Sequence, residues 1–185
     1  MRADCWPPLF WLVIAGSWAL GFLLARAGIY EPVLMEMGRA VSVPGPESLA
    51  WWQPIPYFLL TVLAAFVLSH LFFGAASALF SLCRGMNDYL LLQGAAAILS
   101  GFSQLEFSTA QLGQLFFITV VLVANLPLSL WAAHLGAENS MKALYRLRGR
   151  PWRDWGNRRP LPNLLLALGA SIAAGVAASF ALSYA

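Results

Sequence analysis

The few residues in this chain that could do chemistry stand within long apolar runs. His70 lies in the run from Pro56 to Cys83, which has no formal charge, and Asn125 and Pro127 lie in a later run. An ionisable group at membrane depth indicates a transport or proton path, and the structural alternative is a neutral imidazole that hydrogen-bonds to a neighbouring helix. Because Pro127 has no N–H to donate to the carbonyl of Val123, we expect a kink there.

Catalytic motifs are missing from the sequence. There is no HExxH, no pair of intramembrane aspartates, no Gly-x-Ser-x-Gly and no Walker loop. The fragment from Gly101 to Ser103 resembles part of an intramembrane serine protease, but its only candidate bases are His70 and His134. Cys5 and Cys83 are far apart in the chain, and we expect two free thiols with no metal or disulfide role. We therefore expect a protein that is not an enzyme and has no catalytic residue, metal or cofactor.

Small residues form a second group of candidates. Such residues let helix backbones approach closely in lipid, where apolar association has little driving force. They indicate either internal packing of the bundle or a docking face for another membrane protein. The candidates for this helix-packing or partner face are Gly74, Gly94, Gly101, Ser171, Gly175 and Ser179.

Charged residues are concentrated in two places. The segment from Arg84 to Asp88 carries both signs between two apolar runs, which predicts a hinge at the membrane surface, or a contact with lipid headgroups or a partner. A basic segment, 136–160, separates the last two runs, and its cations predict either a simple topology signal or a helix over Met141–Arg150 lying on anionic lipid headgroups. Its basic residues are Lys142, Arg146, Arg148, Arg150, Arg153, Arg158 and Arg159.

The elements that must position these residues are predicted from hydropathy. The 185 residues are 60% hydrophobic and only 10% charged, whereas a soluble domain is about 25% charged. We expect one all-α integral membrane domain, 1–185, of about five transmembrane helices, the third of them short. A cleaved signal peptide is the alternative for the first. The spans are predicted at 9–26, 56–83, 87–102, 111–134 and 161–184.

Topology follows from the distribution of the eleven Lys and Arg residues. If the segment 136–160 is cytoplasmic, alternating crossings place all of them except Arg26 and Arg39 inside, with the N-terminus cytoplasmic and the C-terminus outside. This predicts a multi-pass protein of the inner (cytoplasmic) membrane and no nucleic-acid partner. The first outer loop contains PVLMEMGRAV, which favours a short interfacial helix with Val33, Leu34 and Met37 on its apolar side, or else an irregular loop.

The order of these features resembles a known family. Phe73-Gly74 is followed by Leu79-Phe80-Ser81-Leu82 with Arg84-Gly85, and then by a short span rich in small residues. The fourth span contains Phe117 to Val121, followed by Asn125-Leu126-Pro127-Leu128, and it continues to Gly136. This arrangement resembles the stage II sporulation protein M family of small polytopic membrane proteins. The resemblance implies an inner-membrane protein without known catalytic residues; the sporulation member is a scaffold that gathers cell-wall hydrolases.

Together these features predict a non-catalytic scaffold or assembly partner. Its expected partners are the lipid bilayer, another membrane protein or a second copy, and anionic headgroups at the basic segment. The alternative is a small transporter or permease subunit with a polar path near His70 and Asn125. An intramembrane enzyme is a weaker third hypothesis.

Overall fold

The structure is a computed structural model that describes residues 6–29, 31–71, 75–101, 108–149 and 160–183. These residues form helices and connecting turns, with no strand among them. The elements are α1 (Trp6–Arg26), α2 (Pro32–Val41), a 3₁₀ turn (Pro46–Ser48), α3 (Pro54–His70), α4 (Ala75–Ser100), α5 (Thr109–Val120), a π turn (Val121–Asn125), α6 (Leu126–Leu147) and α7 (Pro160–Ser183). The prediction of an all-helical protein is confirmed.

Many large apolar side chains point outward from this bundle, and several polar and charged ones are buried inside it. Leu12, Val123 and Phe180 are at least 64% exposed, whereas Arg84 and Asn125 are completely buried. A water-soluble fold has the reverse distribution. Among the described residues, three helical segments are long and apolar enough to cross a membrane: Leu9–Arg26, Thr109–Leu147 and Leu161–Ser183. This composition and this distribution indicate a helical membrane protein.

The helices pack around α3, which lies between α6 and α7, while α1 packs along α4 and α5 packs against α7. Two clusters of buried apolar side chains fill the spaces between them. One cluster contains Val43, Phe58, Leu91, Ala95, Phe117, Ile118, Val121 and Ala178. The other contains Ile14, Val62, Ala65, Phe80, Ala132, Ala133 and Ala167.

The hinge predicted between Arg84 and Asp88 is wrong, because α4 runs through these residues without a break. The chain leaves the helical path earlier, after His70. In place of the predicted spans 56–83 and 87–102, the structure has α3 and a longer α4. The third long helix is therefore not short. Arg84 and Asp88 are four residues apart, so their side chains lie on the same side of α4, where other helices bury them.

The predicted span 111–134 also differs, because the helical path continues from Thr109 to Leu147 and includes the first half of the predicted loop 136–160. A helix over Met141–Arg150 is confirmed as far as Leu147. The helix ends at Leu147 with Arg148 as its C-cap, and the next residue, Gly149, has a φ of 65°, which suits glycine. Near Pro127 the helix widens into the π turn, in which Leu126 N–H donates to the Val121 carbonyl. This turn is the irregularity expected from a proline without an N–H.

The short helix predicted in the first outer loop is confirmed as α2, over the same ten residues. Pro32 begins it, where a missing N–H costs nothing. Val33 and Met37 are exposed as expected, and Leu34 is partly buried. On the other side, Gly38 packs against α4: a Cβ at Gly38 would lie 2.7 Å from the Cys83 carbonyl oxygen. Helix α2 is thus part of the bundle and not a detached surface helix.

The start of α5 is fixed by a capping box. Ser108 Oγ accepts from the Gln111 N–H at 3.2 Å, and Gln111 Oε1 accepts from the Ser108 N–H at 3.2 Å. We expect Ser108→Ala to reduce the free energy of unfolding by about 0.5–2 kcal/mol. Urea or SDS unfolding followed by circular dichroism measures this, with the adjacent Thr109→Ala as the control. Equal stability of the two variants would contradict a stabilising role for the cap.

Candidate functional site

The centre of the bundle holds a buried ion pair on α4. Arg84 Nε lies 2.8 Å from Asp88 Oδ1, and neither side chain is exposed. Two other helices complete the pair: Trp18 Nε1 of α1 donates to Asp88 Oδ2 at 3.0 Å, and Arg84 Nη1 donates to Asn125 Oδ1 at 3.0 Å. A buried charge without a partner is very costly, so each ion is retained here by an opposite charge and a hydrogen bond.

Asn125 extends this network to α3. Its Nδ2 donates to Thr61 Oγ1 at 3.1 Å and to the Phe58 carbonyl oxygen at 3.3 Å. Ser171 of α7 donates to the same Phe58 carbonyl at 2.7 Å. Five helical segments, α1, α3, α4, the π turn and α7, therefore meet at one set of polar groups. We call Trp18, Thr61, Arg84, Asp88, Asn125 and Ser171 the central network.

The central network is largely buried, and almost all of its polar atoms have hydrogen-bond partners. Thr61 is 3% exposed, and Arg84, Asp88, Asn125 and Ser171 are not exposed at all. Only Arg84 Nη2 makes no hydrogen bond with the part of the chain that the structure describes. Polar networks of this kind fix a unique arrangement of helices when nearly every group has a partner. This geometry suits rigid packing, and Arg84 Nη2 is the one buried polar atom of the network that has no partner within the described residues.

A second polar cluster joins the end of α3 to α6. His70 Nδ1 lies 2.9 Å from the Phe66 carbonyl oxygen, which can only accept, so Nδ1 carries the proton. His70 Nε2 then accepts from Asn139 Nδ2 at 3.0 Å, and Ser140 Oγ donates to the His70 carbonyl at 3.2 Å. Both ring nitrogens of His70 therefore have partners within the bundle, which suits a structural role. Gly136 permits the contact, since a Cβ there would lie 2.7 Å from Ser69 Cβ.

The predicted small-residue positions divide into two groups. Ser171, Gly175 and Ser179 are buried, and a Cβ on Gly175 would lie 2.8 Å from Ile55 Cα, as internal packing requires. Gly94 and Gly101 instead face outward, with open space around each. Gly74 lies outside the described residues.

The remaining predicted residues are dispersed. Pro127 is exposed on the outside of the helix, two positions from the buried Asn125. Lys142 pairs with Glu138 at 3.1 Å along α6, and Arg146 and Arg148 are exposed. Arg150, Arg153, Arg158 and Arg159 lie outside the described residues.

The candidates for chemistry are not brought together within the described residues. Ser103 and Cys5 lie outside them, Cys83 is a buried free thiol, and His134 packs against Trp11 with ring centroids 4.8 Å apart. No cluster of three or more His, Cys, Asp or Glu side chains that could hold a metal ion occurs in the described ranges.

Sequence reasoning did not bring the central network together, although four of its six residues, Arg84, Asp88, Asn125 and Ser171, were singled out. Arg84 and Asp88 were noticed, but as a surface hinge, and Trp18 and Thr61 were not noticed at all. The available signal was the spacing of four between opposite charges inside a helix-length apolar context, which favours an internal ion pair.

Sequence reasoning also missed a close crossing of α1 and α4. Gly21 of α1 and Gly85 of α4 meet there: a Cβ on Gly85 would lie 2.9 Å from the Phe22 backbone nitrogen, and a Cβ on Gly21 would lie 2.8 Å from the Leu82 carbonyl carbon.

Comparison of the chain with protein-family models, curated proteins and solved structures found no match.

Proposed function

We propose that this protein is a non-catalytic scaffold or assembly partner that crosses the inner membrane five times and binds other membrane or envelope proteins. The crossings would be α1, α3, α4, the path from α5 to α6, and α7. Helix α4 has 26 residues, about 39 Å at 1.5 Å per residue, which exceeds the roughly 30 Å of hydrocarbon. Its charges face inward and its exposed Leu79, Leu92 and Leu99 face outward.

Contacts between helix ends support the proposed topology. The end of α3 meets the basic end of α6 through His70 and Asn139, while the start of α3 meets the second half of α7 at Gly175. These contacts suit helices that alternate in direction. The positive-inside bias then favours a cytoplasmic position for Lys142, Arg146 and Arg148, a cytoplasmic N-terminus and an external C-terminus. Anionic headgroups are the partner proposed for this basic segment.

The burial of the central network is the observation that most favours binding over transport. A permease would need a polar cavity that reaches His70 and Asn125. Asn125 is instead fully buried and hydrogen-bonded to α3 and α4, and both ring nitrogens of His70 have partners. Because most polar groups of the interior hydrogen-bond to one another, we expect the protein to bind its partners through its outer surface.

One face of α7 suits such contacts. Gly169, Ala170 and Ala173 are exposed on it, and the space around Gly169 is open. The buried Ser171 and Gly175 lie on the opposite face. Helices with small residues on an outward face associate closely in lipid. We propose that this α7 face docks another membrane protein or a second copy of the chain.

A matched pair of variants tests this docking face. Gly169→Leu places a bulky side chain on the α7 face. After cross-linking and purification in mild detergent, we expect this variant to recover much less of the partner protein than the wild type does. Gly16→Leu makes the same change at an open, exposed position of α1 and should retain the partner. Equal recovery with both variants, or a wild type that remains a lone monomer, would contradict the proposal.

A further inference from the structure

A pocket lies between the start of α3 and the last two turns of α7, away from the central network. Its volume is about 610 Å³, within the range of small-molecule sites. Trp51 and Ile55 line it on the α3 side, and Val176, Ser179 and Phe180 line it on the α7 side. None of the described residues that line it is charged, so it suits a neutral polar group attached to an apolar body.

The opening of this pocket faces lipid. Its α7 wall belongs to the segment Leu161–Ser183, which is long and apolar enough to cross a membrane. Phe180 is 64% exposed and Val176 is 37% exposed, and Ile172, a further turn along the same side of α7, is 42% exposed. A column of exposed apolar side chains therefore runs from the pocket toward the middle of the segment.

The depth of the pocket matches the boundary between hydrocarbon and headgroups. Ser179 lies about 6 Å from the end of the membrane segment, at 1.5 Å per residue. Across the pocket Trp51 is exposed, and tryptophans collect at this boundary. The ester carbonyls of a glycerolipid lie at the same level, with its acyl chains directed toward the middle of the bilayer. A lipid whose esters lie beside Ser179 can thus extend a chain along Val176 and Ile172.

The pocket offers two hydrogen-bond donors. Ser179 is 5% exposed, and its Oγ makes no hydrogen bond within the described residues. Ser183, one turn further along α7, differs because its Oγ donates to the Phe180 carbonyl at 2.7 Å. The indole N–H of Trp51 is the second donor, on a side chain that is 62% exposed. A buried hydroxyl without a partner is costly, and a carbonyl oxygen from a ligand would supply the missing acceptor.

We propose that this pocket binds one diacyl glycerolipid of the bilayer through its ester carbonyls. Ser179 Oγ and Trp51 Nε1 would donate to the carbonyl oxygens, and one acyl chain would lie along Val176 and Ile172. The ester linkage defines the ligand, because a lipid with ether-linked chains has nearly the same shape but no carbonyl to accept these hydrogen bonds. The headgroup is not selected, since the described lining residues carry no charge.

Native mass spectrometry of the detergent-purified full chain tests the proposal. Dipalmitoyl phosphatidylcholine, its diether analogue dihexadecyl phosphatidylcholine, and dipalmitoyl phosphatidylglycerol are titrated separately, and the first bound lipid is counted. The diester phosphatidylcholine is expected to bind about tenfold more tightly than the diether, with phosphatidylglycerol equal to the diester phosphatidylcholine. Equal affinity for diester and diether, as an unselective apolar groove would give, would overturn the proposal. So would a headgroup preference larger than the linkage preference, or a dimer of the chain that binds no lipid.

Variants locate the selectivity at Ser179. Ser179→Ala removes only the buried hydroxyl, and its affinity for the diester should fall about fivefold while its affinity for the diether stays unchanged. Trp51→Phe keeps an aromatic ring without the N–H, and combining it with Ser179→Ala should abolish the preference for esters. Ser183→Ala is the matched control in the same pocket and should keep the wild-type preference, because that hydroxyl already has a partner. An unchanged preference in Ser179→Ala, or an equal loss in Ser183→Ala, would overturn the proposal.

These measurements use the purified chain without another protein. Their outcome therefore does not depend on whether the α7 face docks a partner.

Discussion

Replacing Arg84 by leucine is expected to lower the free energy of unfolding by about 3–5 kcal/mol, the cost of removing one member of a buried ion pair. The Asp88 carboxylate would remain fully buried with only the Trp18 indole as a partner, and Asn125 Oδ1 would lose its donor on α4. Asp88→Leu should have a similar effect, because it leaves the Arg84 cation unpaired. Reversible unfolding in mixed micelles with increasing SDS, followed by circular dichroism, measures these changes.

The double variant Arg84→Leu/Asp88→Leu separates the loss of the pair from the burial of a single charge. It should lose clearly less stability than the sum of the two single variants, because no unpaired ion remains. Arg146→Leu is the control, since Arg146 is exposed and a surface substitution should change stability by no more than about 0.5 kcal/mol. Additive single effects, or an Arg84→Leu variant as stable as the control, would show that the buried pair does not stabilise the fold.

The position of this ion pair shows where local sequence patterns fail. Charges between two apolar runs usually mark the membrane surface, and a hinge was therefore predicted at Arg84 and Asp88. The groups that make burial tolerable, Trp18 and Asn125, lie 70 and 41 positions away in the chain. Neither partner can be identified from the hydropathy around Arg84, so only the tertiary structure distinguishes a buried pair from a surface turn.

Features governed by local physics were predicted well. Helix α2 forms over the predicted residues, and the helix is irregular near Pro127 because a proline cannot donate a backbone hydrogen bond. The spacing of four between Ser171, Gly175 and Ser179 places all three on one face, and that face is buried. The spacing alone left open whether another helix of the same chain or a separate protein would cover them.

The glycines also show that tertiary contacts cannot be predicted from the local sequence. Gly94 and Gly101, predicted for internal packing or a partner face, face open space, whereas Gly21 and Gly85 were not predicted and lie at a close crossing of α1 and α4. A glycine permits another helix to approach closely but does not determine whether one does. Which side of a helix is approached depends on the arrangement of the whole bundle, and here that arrangement brings α1 against α4 beside the Trp18 to Asp88 hydrogen bond.

Gly85→Ala is therefore expected to destabilise the protein by about 1–3 kcal/mol or more, as overpacking does in other cores. Its new Cβ would lie 2.9 Å from the backbone nitrogen of Phe22 and 2.9 Å from the carbonyl carbon of Trp18. Because both neighbours are backbone atoms, no change of rotamer relieves the contact. Helices α1 and α4 must move apart, and the hydrogen bond from Trp18 to Asp88 must lengthen.

Gly94→Ala is the matched control on the same helix, because its Cβ would meet nothing within 4 Å. It should leave stability unchanged or raise it by up to about 1 kcal/mol, as alanine does in place of a helical glycine. SDS unfolding compares the two variants. Because the chain has eight tryptophans, the emission of Trp18 is taken as the difference between each variant with and without Trp18→Phe, and only Gly85→Ala should shift it. If both variants unfold at the same SDS concentration with unchanged emission, α1 and α4 are not in backbone contact at this crossing, and the central network loses its support from α1.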